Sequence, residues 1–231
     1  MKFLVSEIFH SIQGEGNYAG VNSLFIRFQL CNLACKWCDT KYTWSRRSGM
    51  FREYDEADLK KIIRESEAHH FIFTGGEPAL YNIDKLVVPG KKFHVESSGT
   101  IHPGKPLDII LQDGVRIRRS AMSEKKYSRF NWVISPKLAN SGQTIKNALI
   151  GYWAKKDHAI LKFVIQSKKD LDEVAALEKK YRIRKEKIFI CFEGTTLESQ
   201  MQPALAEEII GRGWNYSPRL HVILWGNERK R

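Results

Sequence analysis

Short apolar runs that end in glycine or a polar residue recur along this chain, and they constrain its fold more than any other feature. "SLFIRFQ" (23–29), "FIFTGGEP" (71–78), "KFHVESSGT" (92–100), "NWVISPK" (131–137), "AILKFVIQ" (159–166) and "KIFICFEGTT" (187–196) share this format. Each is long enough for a buried strand and too short for a buried helix. Between them lie stretches with apolar residues at helical spacing. These are "DEADLKKIIRESEA" (55–68), with Asp55 as its cap, "KDLDEVAALEKKY" (169–181) and "LESQMQPALAEEIIGRG" (197–213). "RLHVILW" (219–225) reads as a final strand. The alternation predicts an α/β fold, a mainly parallel sheet with covering helices. At 231 residues the chain is short for a complete eight-fold barrel, so the expectation is an incomplete, TIM-like barrel in one domain spanning 1–231. Residues 103–130 break the pattern. "HPGKP" opens that segment and "VRIRRSAMSEKKYSRF" fills it, which predicts a basic surface insertion.

In parallel α/β architectures the carboxyl ends of the strands form the active face. Thr74-Gly75-Gly76-Glu77, Glu96-Ser97-Ser98-Gly99 and Ser135-Pro136-Lys137 should therefore converge at one end of the sheet. The same end receives "CNLACKWCDT" (31–40), which holds three of the four cysteines of the chain. No apolar run approaches a membrane span, and the N-terminus meets acidic and polar residues too soon for a secretory signal. The expected setting is cytoplasmic and reducing, which weighs against a disulfide framework. Thiolates suit zinc and iron–sulfur clusters. Structural zinc favours four ligands in paired units, and the spacing Cys31-x-x-x-Cys35-x-x-Cys38 has no partner pair, although His10 is a conceivable fourth ligand. Three cysteines on a cluster of four irons leave one iron open for chemistry, and the spacing favours that reading over zinc.

Cys31-x-x-x-Cys35-x-Trp37-Cys38 resembles the signature of radical S-adenosylmethionine (SAM) enzymes. "SIQGEGNYAGVNSLFIRFQLCNLACKWCDTKYTW", "TGGEP", "SPKLANSG", "KFVI", "EGTT" and "RLHVILWGN" narrow the resemblance to the 7-carboxy-7-deazaguanine synthase family, from about residue 6 to residue 228. The resemblance implies a 4Fe-4S cluster on Cys31, Cys35 and Cys38, with SAM on the open iron and a Mg2+ ion contacted by Thr40. It places Trp37, Cys38, Asp39, Gly76, Glu77, Glu96, Ser98, Ser135, Pro136, Lys137, Cys191, Phe192 and Glu193 around SAM. Here "ESSGT" departs from the family's "ETNGT", so Ser98 stands where relatives have asparagine, and a hydroxyl reaches less far. Ile12, Gln13, Gly14, Glu15, Arg27 and Thr74 are implied as contacts of 6-carboxy-5,6,7,8-tetrahydropterin, with His221 a weaker candidate. From the residues alone, Arg27 could equally pair with a structural carboxylate. The implied reaction abstracts the C6 hydrogen, contracts the ring and releases ammonia, giving 7-carboxy-7-deazaguanine, a precursor of queuosine-type compounds. A homodimer and an electron donor such as flavodoxin or ferredoxin come with the resemblance.

Two rival readings remain open at the level of sequence. Activases of glycyl-radical enzymes share the cysteine spacing, but the "IQGEG" and "CDT" elements do not belong to them. The net charge of +12 prompts the other, a zinc-bearing nucleic-acid-binding module. The basic residues are spread along the chain with no recognised nucleic-acid motif, so a solvated basic surface is the expectation.

Overall fold

The computed structural model describes residues 2–143, 149–226 and 228–230. One nine-stranded sheet organises them. In chain order its strands are β1 (Phe3–Ile12), β2 (Asn22–Phe28), β3 (Arg52–Tyr54), β4 (His70–Gly75), β5 (Lys92–Ser97), then β8 (Asn131–Ile134), β9 (Ala159–Ile165), β10 (Ile188–Phe192) and β11 (Asn215–Tyr216). A separate two-stranded hairpin holds β6 (Leu107–Ile110) and β7 (Arg116–Arg119). The order β11-β10-β9-β8-β5-β4-β2 is parallel throughout, and β1 and β3 add antiparallel pairs at one edge. This is the expected incomplete barrel, and the sheet stays open between β3 and β11.

The helices are α1 (Glu56–Glu65), α2 (Glu124–Tyr127), α3 (Ile150–Ala154), α4 (Lys168–Tyr181), α5 (Leu197–Gln200), α6 (Pro203–Arg212) and α7 (Leu220–Trp225). At α1 the Asp55 carboxylate accepts from the Asp58 N–H at 2.9 Å and the Asp58 carboxylate accepts from the Asp55 N–H at 3.1 Å, a reciprocal cap. Its Leu59 and Ile63 are fully buried, at about 1.5–3 kcal/mol of transfer free energy each. Side-chain alternation sorts the strands: Leu24, Ile26 and Phe28 of β2, Phe71 and Phe73 of β4, and Phe93 and Val95 of β5 join α1 in one core. Leu161, Phe163, Ile188 and Ile190 join α4 and α6 in a second. The alternate residues face the concave side.

Several local outcomes differ from the sequence expectation. Leu220–Trp225 is helical rather than a strand, and of its apolar run only Val222 is buried. An apolar run of that length does not by itself separate helix from strand. The stretch 197–213 is two helices, because Met201 and Gln202 leave helical backbone before Pro203 starts α6. β1 was not anticipated, since Ser6, Glu7 and His10 interrupt its apolar residues and its register shifts between Val5 and Glu7. Residues 103–130 are basic outside but fixed inside: Leu111, Ile117, Met122, Tyr127 and Phe130 belong to the first core. The buried Arg119 guanidinium donates to the carbonyls of His102 and Pro103.

Candidate functional site

The strand ends and the cysteine loop enclose a cavity of about 270 Å³ at the carboxyl end of the parallel sheet. The cysteine loop is held from both sides. The Leu30 and Cys31 N–H groups donate to the carbonyls of Thr43 and Trp44 at 2.7 and 3.0 Å, and the Lys36 N–H donates to Ser141 at 3.0 Å. Gly75 and Gly76 pack beneath it. Gly75 has φ +116°, and a Cβ on Gly76 would lie 1.9 Å from the Leu30 carbonyl oxygen. The glycine requirement at 76 therefore comes first from backbone-to-backbone packing against the cysteine loop.

Cys31, Cys35 and Cys38 are free thiols lining the cavity. Burial pushes the Cys31 thiol up to about 12, and burial also raises Cys35, which Lys137 partly offsets. As thiols they are inert, and a metal would deprotonate them. Donors already point at the sulfurs: the Leu33 N–H at 3.4 Å from Cys31 Sγ and the Trp44 indole N–H at 3.3 Å from Cys38 Sγ. Such hydrogen bonds suit cluster thiolates. Among the described residues no group of three or more His, Cys, Asp or Glu is placed to hold a single metal ion. His10 is exposed on β1 and does not line the cavity, so it is no fourth ligand. Trp37 stands under the Lys137 ammonium, 5.0 Å from its ring centre, and its indole N–H donates to Asn140 Oδ1 at 3.1 Å. Lys137 also donates to Ser135 Oγ at 2.9 Å. Thr40 lies 3.6 Å from Cys38 Sγ through its hydroxyl.

Across the cavity from the thiols is a buried charge cluster. Lys162 of β9 donates to Glu96 Oε2 at 2.9 Å and contacts the Glu15 carboxylate. Gln13 Nε2 donates to Glu96 Oε1 at 2.7 Å. Arg219, which opens α7, donates to Glu15 Oε1 at 2.9 Å and to the Asp39 carboxylate. His221 Nε2 is 3.9 Å from Glu15. Burial alone would raise Glu15, but Lys162 and Arg219 hold it well below the usual carboxylate range. Burial leaves Glu96 raised, with Lys162 and Gln13 opposing. Burial likewise disfavours charge on Lys162, and the two carboxylates more than reverse that. A second ion cluster forms one wall. Glu7, buried on β1, accepts from Arg27 Nε at 2.8 Å, Tyr42 OH at 2.9 Å and Arg229 Nη2 at 2.6 Å.

Most of the expected site residues meet here. Ile12, Gln13, Gly14, Glu15, Arg27, Thr74, Asp39, Thr40, Trp37, Gly76, Glu96, Ser98, Ser135, Lys137, Cys191 and Glu193 all line the cavity with the three thiols, as does His221. Arg27 lines it and pairs with Glu7, which is the structural carboxylate of the second sequence reading. Three residues do not line it: Glu77, Pro136 and Phe192. Glu77 is fully buried. Its carboxylate accepts from Ser97 Oγ at 2.7 Å, from Ser98 N and Oγ at 2.9 and 2.6 Å, and from Ala79 N at 3.0 Å. It braces the Ser97–Ser98 turn from behind, and the Ser98 hydroxyl is committed to it. Phe192 packs on Tyr216 at 5.0 Å between ring centres, and Pro136 is buried.

Lys162, Arg219, Tyr42, Trp44 and Arg229 line the cavity and were not singled out. A lysine inside "AILKFVIQ" was the available signal, since a charge in the middle of a buried strand is costly without partners. Arg219 was hidden by the reading of 219–225 as a strand. As the residue that starts α7 it swings onto Glu15, while a Cβ on Gly14 would strike His221 Nδ1 at 2.2 Å.

Residues 25–117 match the model of the radical SAM superfamily. The 7-carboxy-7-deazaguanine synthase of Thermoplasma acidophilum is 32% identical over 97% of this chain and 98% of that one. The enzyme of the same name from Rhodopirellula baltica is 29% identical over 98% of this chain and 88% of that one. The crystal structure of QueE from Escherichia coli shares the fold, with a TM-score of 0.67 at 23% identity over 94% of this chain and 93% of that one. Thiol placement, strand-end chemistry and full-length similarity agree, and the chain belongs to the 7-carboxy-7-deazaguanine synthase family of the radical SAM superfamily.

Proposed function

We propose that this chain contracts the ring of 6-carboxy-5,6,7,8-tetrahydropterin to 7-carboxy-7-deazaguanine with loss of ammonia, in 7-deazapurine biosynthesis. The observation that carries the reading is the meeting of three free thiols and an internally paired set of carboxylates and cations in one cavity. Cys31, Cys35 and Cys38 would hold a 4Fe-4S cluster, and Trp37, Asp39, Gly76, Ser98, Ser135, Lys137, Cys191 and Glu193 would surround SAM. With both bound, the site gains a means of abstracting a hydrogen atom. The protein's own share is positioning and exclusion of water.

Gln13 and Glu15 present acceptors for the N–H edge of a pterin, and carboxylates accept such donors in pairs. Glu96, expected beside SAM, is assigned to the substrate side in this reading, because its two oxygens take Gln13 and Lys162 next to Glu15. Arg27 offers the positive group for the substrate carboxylate, with Thr74 beside it and Ile12 and Gly14 shaping the floor. Thr40 would lend oxygen to Mg2+, which tolerates few protein ligands when substrate and water supply the others. Phe25, Leu33 and Val164 supply apolar wall.

A homodimer is part of this reading. Leu197, Met201, Ile223 and Leu224, on and beside α5 and α7, are exposed apolar residues in one region and support it. The net charge of +12 supports an acidic electron donor of the flavodoxin or ferredoxin kind. No helix among the described residues is long and apolar enough to cross a membrane, and a cytoplasmic setting completes the proposal. The test is anaerobic incubation of reduced, reconstituted protein with SAM and the carboxytetrahydropterin, with and without Mg2+. The expected outcome is a brown protein that makes 7-carboxy-7-deazaguanine faster with Mg2+. A brown protein that makes none sinks the reading. A colourless, zinc-loaded protein with salt-sensitive RNA binding would favour the nucleic-acid alternative instead.

A further inference from the structure

"KFVI" matched relatives without any role for its first residue, and that residue is the most enclosed cation of the cavity. The Lys162 side chain is 7% exposed, and it bridges Glu15, from the loop after β1, to Glu96 on β5. The two carboxylates are not equally provided for. Glu15 has a second cation in Arg219 and a third neighbour in His221. Among the described residues, the polar partners of Glu96 are Lys162 and the neutral Gln13 amide, and the Glu15 charge repels it. Both partners of Glu96 are donors, one on each oxygen, so the geometry reads it as an acceptor-only carboxylate. Cys191 on β10 is the remaining titratable group against Lys162, and burial keeps it a neutral thiol.

We propose that Lys162 is a positioning residue that keeps Glu96 ionised and aimed into the cavity beside Glu15, so that both carboxylates present acceptors to the substrate. The proposal rests on the functional reading above only for what the carboxylates then bind. The electrostatic part concerns the chain alone. Losing one opposite charge at contact distance moves a buried carboxylate by about one to three pH units. Without Lys162 the site would hold Glu15 on Arg219 and a protonated Glu96, whose hydroxyl would turn a donor toward the Gln13 amide.

The test uses Lys162→Met, Lys162→Arg and the double variant Lys162→Met/Glu96→Gln. In the reconstituted enzyme, the acidic limb of kcat/KM for carboxytetrahydropterin should move up by about one to three pH units in Lys162→Met. It should stay at the wild-type position in Lys162→Arg. In cluster-free protein, infrared spectra at neutral pH should show a protonated carboxylic acid band in Lys162→Met that is absent from wild type and from the double variant. The double variant should also melt higher than Lys162→Met, because the carboxylate left unpaired is gone. That comparison keeps the test decisive even where the single variant folds poorly. A Lys162→Met enzyme that loses turnover with an unmoved acidic limb, an acid band that survives Glu96→Gln, or a double variant no more stable than the single would each overturn the proposal. An infrared and melting result as expected, with no product from wild type, would leave the electrostatic role standing and fault the assigned substrate.

Discussion

The concave side of the sheet has two polar ends built on the same strands, and they are opposites. β4, β5 and β8 enter it with His70, His94 and Asn131 and leave it toward Thr74, Glu96 and Ser135. At the entering end His70 Nδ1 meets His94 Nε2 at 2.8 Å, Asn131 Nδ2 meets His94 Nδ1 at 3.3 Å, and Tyr18 stands edge-on to His94 at 4.3 Å. In that cluster the rings and amide pack on one another, and burial favours the neutral form of both histidines. At the leaving end Glu15, Glu96, Asp39, Lys162 and Arg219 are paired with one another, and that pairing borders a cavity. Between the two lies an apolar layer with Phe9, Phe25 and Ile72. One loop serves both ends. Gln13 and Glu15 reach the cavity, while Gly16, at φ +71°, packs so that a Cβ there would lie 3.4 Å from Val133 and 3.5 Å from Ile160. Asn17 and Tyr18 then close the far end against Asn131 and the histidines. Charges held by internal partners border the cavity, whereas the polar groups at the other end hydrogen-bond one another.

This contrast predicts that changes at the open end erase function and changes at the filled end erode stability. The largest effect is expected for Cys35→Ser: no cluster absorption and product below detection, with the melting temperature of cluster-free protein moved by less than about 3 °C, since a hydroxyl nearly fills the thiol's space. A large drop in apo stability would mean that the cysteine loop is part of the core rather than a site laid over it. Next comes Gly76→Ala. Its Cβ would meet the Leu30 carbonyl at 1.9 Å, and the backbone on either side must move. We expect a loss of about 2–4 kcal/mol in denaturant unfolding together with poor iron incorporation. Normal loading would separate the glycine turn from the cysteine loop and break the open-end argument. Smaller again is Tyr18→Ala, at about 1–3 kcal/mol of stability from the lost aromatic packing. Its kcat/KM should fall less than tenfold. A larger fall would show that the plug transmits strain to Gln13 and Glu15 through the shared loop.

Much of the leaving end was legible in the sequence, for a physical reason. Thr74, Glu96, Ser135 and the cysteines sit where apolar strands stop, and that boundary is visible in a one-dimensional pattern. The filled end was not legible. His70 opens β4, where a polar residue is unremarked, His94 is a single polar residue inside β5, and their partner Tyr18 lies about fifty residues before His70. Direction of approach was also hidden. Glu77 sits within "TGGEP" and so looks like a cavity residue, but four hydrogen bonds turn it behind the Ser97–Ser98 turn. Arg219 failed to stand out for the reverse reason. Its position depends on α7 being a helix, and the apolar run after it has the composition of a strand. Spacing along the chain locates strand ends well. It does not say which charges will share one buried volume.

The smallest predicted effect tests whether the filled end is neutral. Burial, and then the neighbouring His70, push His94 down to about 4, and burial lowers His70 as well. Both rings are therefore neutral in the folded protein at pH values where the unfolded chain already takes up protons. Well above pH 6.5 neither state is protonated at His94 and stability carries no slope from it. Between about pH 6.5 and 4 the unfolded state binds the proton and the folded state does not, so stability falls as the pH falls, by at most about 1.4 kcal/mol per unit for one ring. His94→Gln keeps an amide to meet Asn131 and cannot titrate. Its denaturant stability between pH 7 and 5 should fall less steeply than that of wild type, while at pH 8 it should lie within about 1 kcal/mol of it. Equal slopes for the two proteins would mean that His94 takes up its proton in the folded state as readily as in the unfolded chain, against His70. The two ends of the sheet would then differ in how their charges are paired, and no longer in whether charge is present.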